Sequence, residues 1–227
     1  LFTPKIRQKM HKTEEIPYSQ EILRKMIHIS SLAIPVIYAF VTKEIGLMIL
    51  VPMTIISILL DILMHRSPTI QKFLLPVFGK LMRPHELRRD KMLLNGASYV
   101  LMSAVLCVFI FPKVIAITAF SILIVSDTAA ALIGRKIGKN PFLDKSREGT
   151  YAFILFAWIV VLVVGTFHNA PYSFYIAGCV GSIVGGVVEA GSIRLKMDDN
   201  FSIPITAGGL MWIIGILLEP SFLEIMR

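Results

Sequence analysis

Val114–Arg135, VIAITAFSILIVSDTAAALIGR, is the stretch on which the rest of the chain turns. It is apolar and nearly free of charge for about the 20 residues that a helix needs to cross a bilayer. One carboxylate, Asp127, stands near its end. An acid held inside a hydrophobic span is expensive, and such groups mark functional sites. Directly downstream come glycines and cations, Gly134-Arg-Lys-Ile-Gly-Lys139 and Lys145-Ser-Arg-Glu-Gly-Thr150.

Further apolar runs lie on both sides. Hydrophobic residues make up 55% of the 227, charged residues only 17%, and the mean hydropathy is +0.72. A soluble domain carries roughly 25% charge, so the reading is an all-α polytopic membrane protein. Seven spans are expected, at about 22–40, 46–64, 95–112, 114–134, 151–167, 172–192 and 203–219. The mixed apolar and basic stretch 67–82 reads as an interfacial helix. The N-terminal LFTPKIRQKMHKTEEIPYSQ has no early apolar core and does not read as a cleavable signal peptide. Cys107 and Cys179, each in an apolar run, read as small buried hydrophobes.

The net charge of +8 is explained by basic loops, without nucleic acid. All 23 lysines and arginines except Lys43, Lys113 and Arg227 fall before residue 26 or within 65–94, 135–150 and 193–201. With seven spans these segments share one side, which the positive-inside rule makes cytosolic. The N-terminus then lies inside and the C-terminus outside. Gly178, Gly181, Gly185 and Gly186 pattern the sixth span; such spacing lets helices approach closely, within the chain or in a homodimer.

Four spans carry an ionisable group, His28, Asp61, Asp127 and Glu189. Counted from Arg24, Arg66, Arg135 and Arg194 at 1.5 Å per residue, all four lie about 6–12 Å below the same interface. The expectation is a polar cavity open to the cytosol, with these four as the catalytic candidates. Asp198-Asp-Asn200 adds hard oxygen ligands suited to Mg²⁺, although Asn200 or Ser202 could equally cap the last helix. Asp127, Glu189 and Asp199 are the metal candidates. Arg135, Lys136, Lys139, Lys145 and Arg147 would rim a magnesium–nucleotide complex, and Gly134 and Gly138 would admit backbone amides to a phosphate. Phosphoryl transfer asks mainly for such positioning and charge neutralisation. No GxxxxGK[ST] loop and no dinucleotide fingerprint is present, so a soluble-type nucleotide fold is not supported.

Arg24-Lys-Met-Ile-His28, Ser126-Asp-Thr-Ala-Ala-Ala-Leu-Ile-Gly-Arg135 with Gly138-Lys139, Lys145–Thr150, Glu189 and Asp199–Pro204 together resemble the CTP-dependent lipid-alcohol kinases. That membrane family includes dolichol kinase, phytol kinase and CTP-dependent diacylglycerol kinase. The resemblance runs over about residues 24–204 and makes 22–227 a single transmembrane kinase domain behind a basic segment, 1–21. It implies CTP as donor, Mg²⁺, and a lipid alcohol as acceptor. It also implies a nucleotide site drawing on Arg24, Lys25, Gly134, Arg135, Gly138, Lys139, Lys145, Ser146, Glu148, Gly149, Thr150 and Asn200. The more distant phosphatidate cytidylyltransferases end in a basic, glycine-rich signature with a His-Gly-Gly core, which is absent here. A transporter, the alternative from another class, would need polar groups through both leaflets, and these lie in one.

Overall fold

The computed structural model describes residues 18–72, 94–195, 197–222 and 226. The interfacial helix expected at 67–82 lies mostly outside them, though residues 68–72 are helical. The segment 1–17 also lies outside.

Among the described residues the chain is helical apart from one short hairpin. Helix α1 (Tyr18–Ser30) and helix α2 (Ala33–Ala39) form the first span, broken between them. Pro35 has no N–H to offer Ser31, so the backbone tightens. Ser31 N–H donates to the His28 carbonyl and Leu32 N–H to the Ile29 carbonyl, each at 3.0 Å. Helix α3 (Lys43–Arg66) follows, and then α4 (Gly96–Ile110), capped by the Asn95 side chain accepting from Ser98 N–H at 3.0 Å. Helix α5 (Lys113–Ile137) carries Asp127. The hairpin of β1 (Pro141–Phe142) and β2 (Lys145–Ser146) pairs Pro141 with Ser146 and Phe142 with Lys145. Then come α6 (Arg147–Phe167), α7 (Tyr172–Ala190), the short α8 (Ser192–Leu195) and α9 (Asp199–Leu218).

Among the described residues six spans are long and apolar enough to cross a membrane. The seventh expected span is present as α4, an apolar helix of 15 residues. Two helices begin further into the charged loops than hydropathy alone implies. Ser146 caps α6, accepting from Gly149 N–H at 3.2 Å. Asp198 caps α9, accepting from Asn200 N–H at 2.9 Å; neither Asn200 nor Ser202 is the cap.

Helix α5 is the axis of the molecule. Some 78% of its span is buried, against 22% for the outer α3. Its first half, from Val114 to Ile124, is buried throughout. Lipid offers helices no hydrophobic gain for packing on one another, so close van der Waals fit must hold them. The glycines of α7 supply it. A Cβ at Gly178 would sit 2.4 Å from Val161 of α6, one at Gly186 2.8 Å from Ile154 of α6, and one at Gly181 3.0 Å from the Ala207 carbonyl of α9. The glycine stripe is therefore taken up inside the chain.

Candidate active site

A cavity of about 1180 Å³ opens beside the C-terminal half of α5. Ligand pockets are commonly about 300–1,000 Å³, so this one stands at the large end. Its walls come from the inner face of α1, the first turns of α4, α6 and α9, and the ends of α5 and α7. The N-termini of α4, α6 and α9 thus converge on one space. Each presents the positive end of a helix dipole, which favours anions.

Two lysine–carboxylate groups face each other in the cavity wall. In the first, the Lys25 ammonium donates to the Asp127 carboxylate and reaches the Asp127 carbonyl at 3.4 Å. His28 Nε2 lies 3.5 Å from the same carboxylate oxygen. The spacing of Lys25 and His28 on α1 brings both to α5, because residues three apart share a helix face. In the second group, the Lys145 ammonium bridges the Glu189 carboxylate and Asp199 Oδ2, the latter at 3.1 Å. Burial disfavours the charged form of Lys145, but Asp199, Glu189 and Asp127 outweigh it and hold the ammonium above the ordinary lysine range. Asp127 thus acts on Lys145 across the cavity.

A third group, Glu21 with Arg24 and Arg135, was not foreseen. Glu21 is 1% exposed. It accepts from Arg24 on its own helix and lies 3.4 Å from Arg135 on α5. The hint was in the sequence as an acid three residues before an arginine, at the start of an apolar run.

Other expected residues stand elsewhere. Asp61 does not line the cavity. It accepts from Asn95 N–H at 3.0 Å, from the Asn95 amide, and from the Ser98 hydroxyl at 2.6 Å. It is a post behind the wall, tying α4 to α3. Its partner Asn95 does line the cavity. The depth count carried no information on direction around the helix. Glu148 accepts from the Asn140 amide at 2.8 Å and secures the loop, and Thr150 donates to the Ser146 carbonyl at 3.2 Å. Lys139 and Arg147 do not line the cavity. Gly138 is a packing residue; a Cβ there would meet the Gly134 carbonyl at 2.2 Å and Ser146 Oγ at 2.6 Å. Gly134, Gly149 and Ser146 do line the cavity, as do Lys136 and Asn200, whose amide donates to Asp198 at 2.7 Å.

The carboxylates bear on metal binding. Among the described residues no three acids, histidines or cysteines converge to enclose an ion. Mg²⁺ in phosphoryl-transfer sites does not need that; one or two carboxylates, waters and substrate phosphates suffice. Glu189 Oε2 and Asp199 Oδ1 are buried and lack hydrogen-bond partners. Two unpartnered carboxylate oxygens on facing helices fit such an ion.

An uncharacterized protein of Rickettsia prowazekii is 32% identical over 197 residues, which cover 86% of this chain and 94% of that one. The chain belongs to the family of that protein. CTP-dependent diacylglycerol kinase 1 of Saccharomyces cerevisiae is 28% identical over 215 residues, covering 84% of this chain and 72% of the yeast protein. This distant similarity supports kinship with a lipid kinase of the membrane. No protein-family model and no solved structure matches the chain.

Proposed function

We propose that the protein transfers the γ-phosphate of CTP to the hydroxyl of a membrane lipid alcohol, such as a polyprenol, dolichol, phytol or diacylglycerol. The observation that carries this reading is the pair of lysine–carboxylate groups facing one cavity at three helix N-termini. Similarity to a CTP-dependent diacylglycerol kinase supports CTP as donor and a lipid alcohol as acceptor. The distribution of lysine and arginine supports a cavity facing the cytosol, where CTP is found.

In this reading Lys25 and Lys145 turn from carboxylates to phosphate oxygens when the nucleotide enters. Arg24 and Arg135, held by Glu21, add fixed positive charge at the rim. Glu189 and Asp199, with Asp127 opposite, would hold Mg²⁺ through the oxygens that lysine leaves free. Bound there, the ion neutralises charge on the phosphates. The acceptor oxygen bonds to the γ-phosphorus as the bond from that phosphorus to the β–γ bridging oxygen breaks, releasing CDP. The hydroxyl proton passes to His28 Nε2, which is buried beside Asp127 with no hydrogen-bond partner of its own. A loose transition state asks little of that base.

The test is purified protein with CTP or ATP, Mg²⁺, and a panel of prenols and diacylglycerol. Lipid phosphate and CDP are expected, and Asp127→Asn should lower the rate on the order of 100-fold or more. Full activity in that variant refutes the assignment. Pyrophosphate with CDP-lipid as products would move the protein to the cytidylyltransferases.

A further inference from the structure

The kinase reading leaves open how a lipid reaches a site built for a nucleotide. Going round the cavity wall, α5 packs on α6, α6 on α7, α7 on α9, and α9 on α4. On the other side α1 packs on α5. Among the described residues the ring lacks one substantial contact, between α1 and α4. Both lean on α5, which floors the gap between them. Ile27, His28 and Ser31 line the cavity from α1, and Ala97 and Val100 from α4.

The two ends of this gap differ in character. On the outside, Leu23, Met26 and Ile27 are 42%, 62% and 44% exposed, on a helix that belongs to the first membrane span. Apolar exposure of that kind is compatible with hydrocarbon and not with water. On the inside stands His28, whose Nε2 is buried 3.5 Å from the Asp127 carboxylate and has no hydrogen-bond partner. An imidazole nitrogen left without a partner can accept from a hydroxyl. The passage is therefore apolar until its last few ångströms, where His28 Nε2 stands next to Asp127.

We infer that the gap between α1 and α4 is the acceptor site, which takes a lipid alcohol sideways from the bilayer, tail between Ile27 and Ala97, hydroxyl on His28 Nε2. This rests on the proposed function for the meaning of the hydroxyl. The tail stays in hydrocarbon, so no long chain has to cross the polar mouth. Ala97 is exposed and the Cβ position of neighbouring Gly96 meets nothing within 4 Å, so the α4 side has free volume.

The test uses the full chain in bilayer nanodiscs with a prenol carrying a diazirine beside its hydroxyl. Photolabelling without nucleotide should map to residues 24–31 and 94–100 and be competed by unlabelled prenol. Ile27→Trp and Ala97→Trp, which narrow the gap from either side, should each reduce that labelling about tenfold. Ile55→Trp, on the exposed face of α3, should not. Labelling that is not competed, or that falls chiefly on α3, overturns the inference. So does equal labelling in the tryptophan variants. Saturable labelling at these segments in a protein that transfers nothing from CTP would uphold the alcohol site and remove the kinase reading instead.

Discussion

Asp61 and Asp127 are both aspartates one turn or two from a loop cation, yet their surroundings differ. Asp127 turns one oxygen to Lys25 inside the cavity, whereas Asp61 spends both on the Asn95–Ser98 turn. Asp61→Asn should leave the rate within a few-fold of the unmodified protein. It should lower stability by about 1–3 kcal/mol, because an amide cannot replace both acceptors; thermal melting in detergent checks it. Loss of activity in a folded Asp61→Asn protein would return that residue to the site. Lys145→Met is expected to behave in the opposite way. It leaves Glu189 buried without its cation and takes away a phosphate ligand. KM for CTP should rise at least tenfold in steady-state assays, with a stability loss of about 3–5 kcal/mol. Residue types and spacings were enough to pick out Asp127, Glu189, His28 and Lys145. They could not separate Asp61 from them, because depth along a span says nothing of which way a side chain points. Glu21 escaped for the converse reason: as the third residue before an arginine it looks like an ordinary surface pair, and only the tertiary approach of Arg135 makes it part of the wall.

Among the elements, α7 shows most plainly what its sequence is for. Its glycines remove side-chain volume where Val161, Ile154 and Ala207 press in. Gly178→Ala should destabilise the protein by about 1–3 kcal/mol through overpacking, and Val161→Ala in the same chain should recover part of the loss. If Gly178→Ala melts normally, the glycine is not there for fit. The order and number of apolar helices were legible from hydropathy. Helix starts were less so. Hydropathy stops at the first charge, but Ser146 and Asp198 begin their helices within the charged loops by capping them. The break in the first span follows from Pro35, a signal present in the sequence but masked by the continuous apolar run around it. The hairpin at Pro141–Ser146 had no alternating pattern to announce it. It depends on Leu143 at φ 51° and on Asp144, whose N–H donates to the Ala190 carbonyl at 3.0 Å.

At the scale of the whole molecule, the cavity lies beside one half of α5, and the other half is dry and filled with Ile115, Phe120, Ile122, Leu123 and Ile124. By the positive-inside rule the loop charges put the cavity half toward the cytosol, which is the orientation proposed. Cysteine placed at Lys139 should label from the cytosolic side of sealed vesicles and cysteine at Ala170 only from the other. Cys179 is first replaced, while the fully buried Cys107 can stay. The reverse pattern would overturn the orientation. A dry far half has a consequence for the lipid as well as for the protein. Uncharged alcohols cross a bilayer unaided, but a phosphate monoester carries a charge of about −1.5 to −2 at neutral pH, and hydrocarbon bars its return. Among the described residues the cavity does not extend past Leu123, so in the kinase reading each turnover would leave its product on the face where the nucleotide is consumed. The enzyme would then work as a one-way trap, drawing alcohol from both leaflets and storing it, phosphorylated, in one.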